Sequence, residues 1–545
     1  MAIKKRPGVS NLDALVEERL KTLNPHEVKI PILAKVKSFI DKALLEEKRT
    51  LYVFTDYDVD GVTSDACAVK LFRYVYPETK IIHRTPHRLS EGYGFSLKVL
   101  PEVPDNSLLV TIDNGIVAFE PIKAAKEKGC KVVVIDHHLG KEDGSLPDAD
   151  LIVDPNAIEG QAEFTGYCGC GLTYKLSQEY NLPKELSDEL RGLAALATVA
   201  DCVPLKEENW MIAKDLPMAL NNYPIYLMAQ AYNLYGLNEG DAGFKICPTL
   251  NAPGRLEDAG AEKSARFLLG DKNLLEELIA LNEERKALTD VYLEKAEKII
   301  EENNYAHDNA ICVVMDAPEG LVGIIAGRIA EKYQCPTFVM ARIEDGMVKG
   351  SARTFGENNL KKILDKCSDL LGRYGGHAAA AGLTLAEKNL EEFRARVCSF
   401  SEKTSSDDIF YDIELSPYYV QKSIIETLNT LEEIRPFGEA NEEPLFYIPN
   451  VRLFPQAGKT YKTMGADNQH LKLFGKDFDI VYFGKAAEYL AHPYDRVNVV
   501  GKLGANHFNG KVSYQIEALY IEEAKREFKK TTLQAALDKR AKERI

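Results

Sequence analysis

Leu51-Tyr52-Val53-Phe54-Thr55-Asp56-Tyr57-Asp58-Val59-Asp60-Gly61 carries an apolar run straight into three carboxylates at alternate positions, followed by glycine. Four apolar, β-prone residues predict a buried strand. Acids at its end are costly in a core without partners. Clustered hard oxygen donors instead suit divalent cations. The pattern then recurs. Leu108-Leu109-Val110-Thr111-Ile112 delivers Asp113-Asn114-Gly115, and Val132-Val133-Val134-Ile135 delivers Asp136-His137-His138. Ala194 to Ala200 delivers Asp201. Four apolar segments, each ending in an acid or a histidine, point to one metal site.

Between these segments lie amphipathic stretches. Val62 to Val75 reads as a helix after a glycine turn, Val117 to Lys128 as a second closed by Gly129, and Lys184 to Ala200 as a third with Asp201 at its end. Alternating strands and helices predict a doubly wound α/β domain with a largely parallel sheet. Ligands of such sheets bind beyond the carboxyl ends of the strands, where the acids fall. Further on, 206–247 is helical, Asn251-Ala252-Pro253-Gly254-Arg255 reads as a turn, and Asn273 to Asn303 as a long connecting helix. A second α/β unit opens at Ala310 to Met315. It includes a helix from Gly323 to Tyr333, a strand from Thr337 to Met340 and a glycine-rich segment from Gly372 to Gly382. After the polar linker Ser401 to Asp407, short β-rich runs predict a small barrel ending near Ile521. The expected division is 1–45 helical, 46–270 the site-bearing domain, 271–305 the connecting helix, 306–400 the second α/β domain, 408–522 the barrel and 523–545 a charged tail.

At 545 residues the chain exceeds a single ordinary core. Its 45% hydrophobic and 28% charged content is that of a globular protein. No secretory h-region follows the basic start, no apolar run approaches a membrane span, and the ten cysteines show no disulfide spacing, so a reducing cytoplasm is expected. The net charge of −15 disfavours a non-specific nucleic-acid coat, although cations recruited by the acids would offset part of it. Cys168-Gly169-Cys170 lacks the partners of a zinc site and reads as small core filler. His83 and His87 fit a site entrance, or a plain surface or core placement, equally. Among Phe446, Tyr447, Phe454, Tyr461, Phe474, Tyr482, Phe508 and Tyr514, most are expected in the barrel core, with two left to stack bases. Lys529-Lys530 and Lys539-Arg540 read as a solvated tail.

The ordered set Asp-Tyr-Asp-Val-Asp-Gly, Ile-Asp-Asn-Gly, Asp-His-His and Ala-Thr-Val-Ala-Asp resembles the four motifs of the DHH phosphoesterase superfamily. His87-Arg88 with Gly92-Tyr93-Gly94, Asn251 to Arg255, Gly350-Ser351-Ala352-Arg353 and Gly375-Gly376-His377 narrow the resemblance to RecJ-type single-strand-specific exonucleases. Arg435 to Gly438, His470-Leu471-Lys472 and Asn509-Gly510 with Gln515 resemble that family's C-terminal OB domain. The similarity spans about residues 46 to 523. Ala317-Pro318 stands where many relatives carry Trp-His, and Ala440 and Glu442 stand where glycine and proline are favoured.

The resemblance implies that Asp58, Asp60, Asp113, His137 and Asp201 ligate two divalent cations, Mn²⁺ or Mg²⁺, with Asp113 and Asp201 bridging. Asp56 becomes a further ligand or an acceptor behind the ligands. Asp136 orients its neighbours, and His138 faces the scissile phosphate. Arg88, Tyr93, Asn251, Arg255, Ser351, Arg353, Gly375, Gly376 and His377 are implied to hold substrate. The residue types fit this independently: two cations activate water and neutralise a phosphodiester, Arg353 offers a fork matched to phosphate, and Gly375-Gly376 lets backbone approach an anion. The implied activity is 5′→3′ digestion of single-stranded DNA to 5′-mononucleotides, in repair and recombination. Rivals are a small-substrate phosphodiesterase of the same superfamily and a non-catalytic replication scaffold. Cleavage of RNA, and a helicase or single-strand-binding protein as partner, are left open by the residues.

Overall fold

The computed structural model describes residues 2–403, 408–465, 467–508 and 511–524. The linker's end, the Asn509-Gly510 pair and the two basic pairs of the tail lie outside the described residues. The chain divides into two compact units, one of residues 23–405 with 438–441, the other of residues 1–22, 406–437 and 442–545.

The larger unit begins with a five-stranded, wholly parallel sheet. Its strands are β1 (Leu51–Phe54), β2 (Ile81–Arg84), β3 (Leu108–Ile112), β4 (Lys131–Ile135) and β5 (Leu151–Val153), in the spatial order β2-β1-β3-β4-β5. The chain runs outward from β1 to β2, then returns to β3 on the other side of β1. That reversal makes the gap beyond the carboxyl ends of β1 and β3 the natural crevice of the sheet. β1 and β3 are buried throughout, as parallel strands covered on both faces must be.

The helices that matter to the site are α1 (Val59–Val75), α2 (Phe119–Glu127), α3 (Gly169–Ser177), α4 (Lys184–Ala200), α5 (Cys247–Leu256) and α6 (Leu275–Glu302). α1 starts three residues earlier than the sequence suggests. Asp58 caps it by accepting from the Gly61 amide at 3.1 Å, so Asp60 sits inside the first turn. Gly61 is therefore no turn residue. A Cβ there would lie 2.2 Å from the Asp56 carbonyl oxygen, so glycine is what allows the strand end and the helix start to touch.

Asn251 to Arg255 also departs from expectation: it lies within helix α5, with Pro253 in the helix interior. Leu250, Ala252, Pro253 and Gly254 are buried there, and α5 packs on α6. Tertiary burial overrides the proline penalty. Helical spacing then puts Asn251 and Arg255 on one face, four residues apart.

The second sheet belongs to the same unit. Its strands are β6 (Ile311–Met315), β7 (Thr337–Arg342), β8 (Met347–Arg353), β9 (Leu371–Gly376) and β10 (Ala380–Ala386), ordered β9-β10-β8-β7-β6, with only β6 and β7 parallel. Helix α7 (Glu319–Tyr333) packs against β7 and β8. The glycine-rich segment is the β9–β10 hairpin, with Gly376 at φ +134°. At 438–441, Ala440 adopts φ +61°, a left-handed conformation that explains why glycine suits that position.

In the smaller unit, strand Ile3–Lys5 pairs in parallel with Ile409–Tyr411. Its main sheet has seven strands, β11 (Ile413–Glu414), β12 (Phe446–Arg452), β13 (Tyr461–Met464), β14 (His470–Phe474), β15 (Asp479–Tyr482), β16 (Arg496–Phe508) and β17 (Lys511–Glu523). They follow the order β11-β12-β16-β17-β15-β14-β13, an OB-like sheet. Among the described residues no strand pairing joins β13 to β11, so the expected barrel is seen as an open sheet. Phe446, Phe474 and Tyr482 are buried, whereas Tyr447, Phe454, Tyr461 and Tyr514 are half-buried. Alternation along the strands leaves more partly exposed aromatics than the two expected.

Candidate metal centre and phosphate anchor

The register of the first sheet ends β1, β3 and β4 together: Phe54 pairs with Thr111, and Ile112 with Ile135. Asp56, Asp113 and Asp136 consequently emerge at one edge, and Asp201 arrives there as the C-terminal cap of α4. Three overlapping groups have ligand atoms within 4.8 Å of one another: Asp56, Asp58 and Asp113; Asp60, His137 and Asp201; Asp113, His137 and His138. Asp113 and His137 each belong to two of them. Asp113 holds a left-handed backbone, φ +61°, followed by Gly115 at φ +121°.

The electrostatics are those of crowded, buried carboxylates. Burial, then Asp60 and the other neighbouring carboxylates, push Asp113 well above the usual range. Burial, then Asp60 and Asp58, do the same to Asp201. Burial and Asp58 raise Asp56, whose buried Oδ1 has no hydrogen-bond partner among the described residues. Asp60 is raised to about 6 by burial and Asp58, against two backbone amides that hold it. Those amides, of Gly169 at 2.6 Å and Cys170 at 2.8 Å, come from the first turn of α3. Among the described residues no lysine or arginine pairs with these carboxylates; their ionic contacts are to the two histidines. Crowded oxygen donors, an imidazole and an unpartnered buried oxygen fit divalent cations.

His137 directs Nε2 to Asp113 at 3.0 Å and lies 3.6 and 3.7 Å from Asp60 and Asp201. Burial, then the adjacent His138, lowers it to about 3, against the Tyr167 backbone, which raises it. It is a neutral imidazole, as a metal ligand must be. His138 behaves oppositely. Burial works against its charge, but a 2.8 Å bond from Nδ1 to Asp136 and the nearby acids raise it to about 9. Asp136 accepts in addition from the backbone amides of Ile116, His137 and His138, which leaves it committed to orientation.

A second cluster faces this one. Arg88 stacks over the Tyr57 ring at 4.5 Å. Arg255 donates to the Gly320 carbonyl at 3.2 Å, and Arg353 to its neighbour Ala352. Burial, then Arg88 and Arg353, lower Arg255 to about 9; burial, then Arg88, lowers Arg353. Three guanidinium groups thus crowd one another with no ion pair among the described residues, which is the signature of an anion site. Ser351 borders it: a Cβ on Gly323, in the second turn of α7, would lie 3.2 Å from Arg353 Nη2 and 3.4 Å from Ser351 Oγ. Tyr93 reaches His138 at 3.2 Å, and His377 stacks on His138 with centroids 6.4 Å apart. Gly375 and Gly376 form the exposed hairpin strand beside His377. Asn251 is half-buried on the Arg255 face of α5.

Some of the site's parts were invisible to the motif reading. Gly169 and Cys170 act through backbone amides, and Cys168 caps α3 by accepting from Gly171. Tyr167, whose backbone lies beside His137, is anchored through its hydroxyl to buried Glu208, itself paired with Lys175 at 2.7 Å. Asn156 donates to the His137 carbonyl at 2.9 Å. The histidines left ambiguous pair with acids: His83 with buried Asp65 at 2.9 Å, His87 with Glu262 at 3.6 Å.

Comparison with known proteins agrees with this architecture. Residues 50–198 match the DHH family N-terminal domain, 307–403 the DHHA1 domain and 411–519 the RecJ OB domain. The single-stranded-DNA-specific exonuclease RecJ of Thermus thermophilus is 30% identical over 523 residues, covering 92% of this chain and 73% of the relative. The RecJ exonuclease of Bacillus subtilis (strain 168) is 29% identical over 497 residues, covering 87% of this chain, which spans 61% of that relative's length. The crystal structure of RecJ in complex with Mn²⁺ from Thermus thermophilus superposes with a TM-score of 0.77 at 26% identity, covering 94% of this chain and 76% of that one. The chain belongs to the RecJ family of single-stranded-DNA-specific exonucleases.

Proposed function

We propose that this protein hydrolyses single-stranded DNA from its 5′ end, releasing 5′-mononucleotides, with Mn²⁺ or Mg²⁺ as cofactor. The observation that carries the reading is the pairing of two complementary clusters, seven metal-competent side chains against three guanidinium groups without counter-ions. Asp58, Asp60, Asp113, His137 and Asp201 would hold two cations, with Asp56 joining them through its unpartnered oxygen. Bound there, the cations supply an activated water and neutralise the phosphodiester.

The chain's own residues do the rest. His138, kept charged by Asp136, donates to a phosphate oxygen or to the departing one. Tyr93 and His377 flank it. Arg88, Arg255 and Arg353, with Ser351, hold the strand's terminal phosphate, whose extra charge rewards three cationic forks. Asn251, Gly375 and Gly376 border the terminal nucleotides. The half-buried aromatics of the C-terminal sheet are suited to stacking the bases of a single strand. A role in DNA repair and recombination follows from that substrate.

The test is digestion of 5′-labelled and 3′-labelled single strands, with a duplex control, in Mn²⁺ and in chelator. Activity confined to single strands, abolished by chelator and by Asp113→Ala, supports the reading. Chelator-resistant activity would contradict it. Faster turnover of a dinucleotide than of a long strand would favour a small-substrate phosphodiesterase instead.

A further inference from the structure

We infer that Tyr57 is a positioning residue that fixes the terminal-phosphate anchor to the metal centre. The inference rests on the reading of the arginine cluster as that anchor. Tyr57 lies between Asp56 and Asp58, so its backbone is continuous with two metal-competent carboxylates. Its ring faces the other cluster. The Arg88 guanidinium lies over it at 4.5 Å, and the Tyr93 ring meets it edge-on, 6.4 Å between centroids and 81° between planes. On the backbone side helix α5 closes in: a Cβ on Gly254 would lie 3.0 Å from the Tyr57 carbonyl oxygen. One residue therefore touches the loop of Arg88, the helix of Arg255 and the acidic strand end.

The aromatic face is the property that matters. Arg88 makes no side-chain ion pair among the described residues, so the ring's negative face is its principal fixed partner. The Arg88 loop is also pinned at its backbone, where Asp258 accepts from the Leu89 and Ser90 amides at 2.7 and 2.9 Å. The ring then sets where the guanidinium end points. A guanidinium held over a ring keeps its N–H groups free to meet a phosphate, whereas pairing with an acid would occupy them. Tyr57 thus pre-organises Arg88 without competing for its donors.

The experiment compares kcat and KM for strands carrying a 5′-phosphate or a 5′-hydroxyl, in Mn²⁺, using the full chain and its Tyr57→Phe, Tyr57→Leu, Tyr57→Met and Arg88→Ala variants. Tyr57→Phe keeps a π-face and should retain the wild-type preference for the 5′-phosphate. Tyr57→Leu should lose about tenfold of that preference, through KM, as a desolvated cation–π contact would imply. Tyr57→Met fills similar volume without a ring, and carries the same test if Tyr57→Leu fails to melt cooperatively. If Arg88→Ala loses the preference while both ring-free Tyr57 variants keep it, the positioning role is overturned and the anchor stands. If Arg88→Ala keeps the preference, the anchor reading itself falls.

Discussion

Replacing Gly169 by alanine should weaken metal binding without touching a ligand. An added Cβ would lie 2.7 Å from the Asp113 Cβ, 3.0 Å from its Cα and 3.1 Å from Asp60 Oδ2. Two of these atoms are rigidly tied to a strand end, so no rotamer change relieves the clash. The start of α3 must withdraw by about 0.7 Å to regain ordinary contact. That movement stretches the 2.6 and 2.8 Å bonds from the Gly169 and Cys170 amides to Asp60. Hydrogen bonds to a charged group are each worth about 1.5–3 kcal/mol, so losing one or both should cost about 1.5–6 kcal/mol. Groups that orient ligands typically govern about 10–100-fold in metal affinity. Calorimetric titration of Mn²⁺ into metal-free protein, together with urea unfolding, measures both. Gly375→Ala is the control, since no atom lies within 4 Å of its added methyl group. Mn²⁺ affinity within about twofold of wild type and an unchanged urea midpoint in Gly169→Ala would refute the reasoning.

Three other outcomes are expected. Asp113→Asn relieves the carboxylate crowding, so the metal-free protein should melt a few degrees higher while losing most of the stabilisation that Mn²⁺ gives the wild type, about 2.7 kcal/mol at a hundredfold excess over Kd; a lower metal-free Tm would count against it. His83→Leu strips the partner from fully buried Asp65 and should cost about 3–5 kcal/mol in urea at pH 6. Burial opposes the His83 charge, but Asp65 raises the group above its ordinary value. Its contribution is therefore complete below the unfolded pKa of about 6.5 and fades as pH rises through the higher folded value. The wild-type advantage over His83→Leu should narrow between pH 6 and pH 9, and a widening gap would reverse the sign. Arg353→Lys loses the planar fork and should raise KM for 5′-phosphorylated strands about tenfold, read from initial rates; an unchanged KM would remove Arg353 from the anchor.

The metal-competent residues were legible because each hangs from a short apolar run, and a strand end needs no tertiary information to be recognised. The long helix α6 and the two α/β units were legible for the same reason, since hydrophobic period survives in one dimension. What escaped was chemistry carried by main chain. The amides of Gly169 and Cys170 have no residue-type signature, and reading the two flanking cysteines as core filler, which their burial matches, says nothing of the main chain. Helix α5 escaped because Pro253 argues against a helix locally, and only its packing on α6 outweighs the penalty.

The sequence alone determined the identities of the metal-competent residues and the edge of the sheet on which they would appear, because strand direction fixes where a strand's last residue points. Only the tertiary structure decided that Asp113 and His137 serve two groups at once, that Asp56 keeps an unpartnered oxygen, and that three arginines separated by 265 positions meet without counter-ions. Charge in a folded chain acts through space, and the distances that set its cost exist only after the strands have been ordered and the helices packed against them.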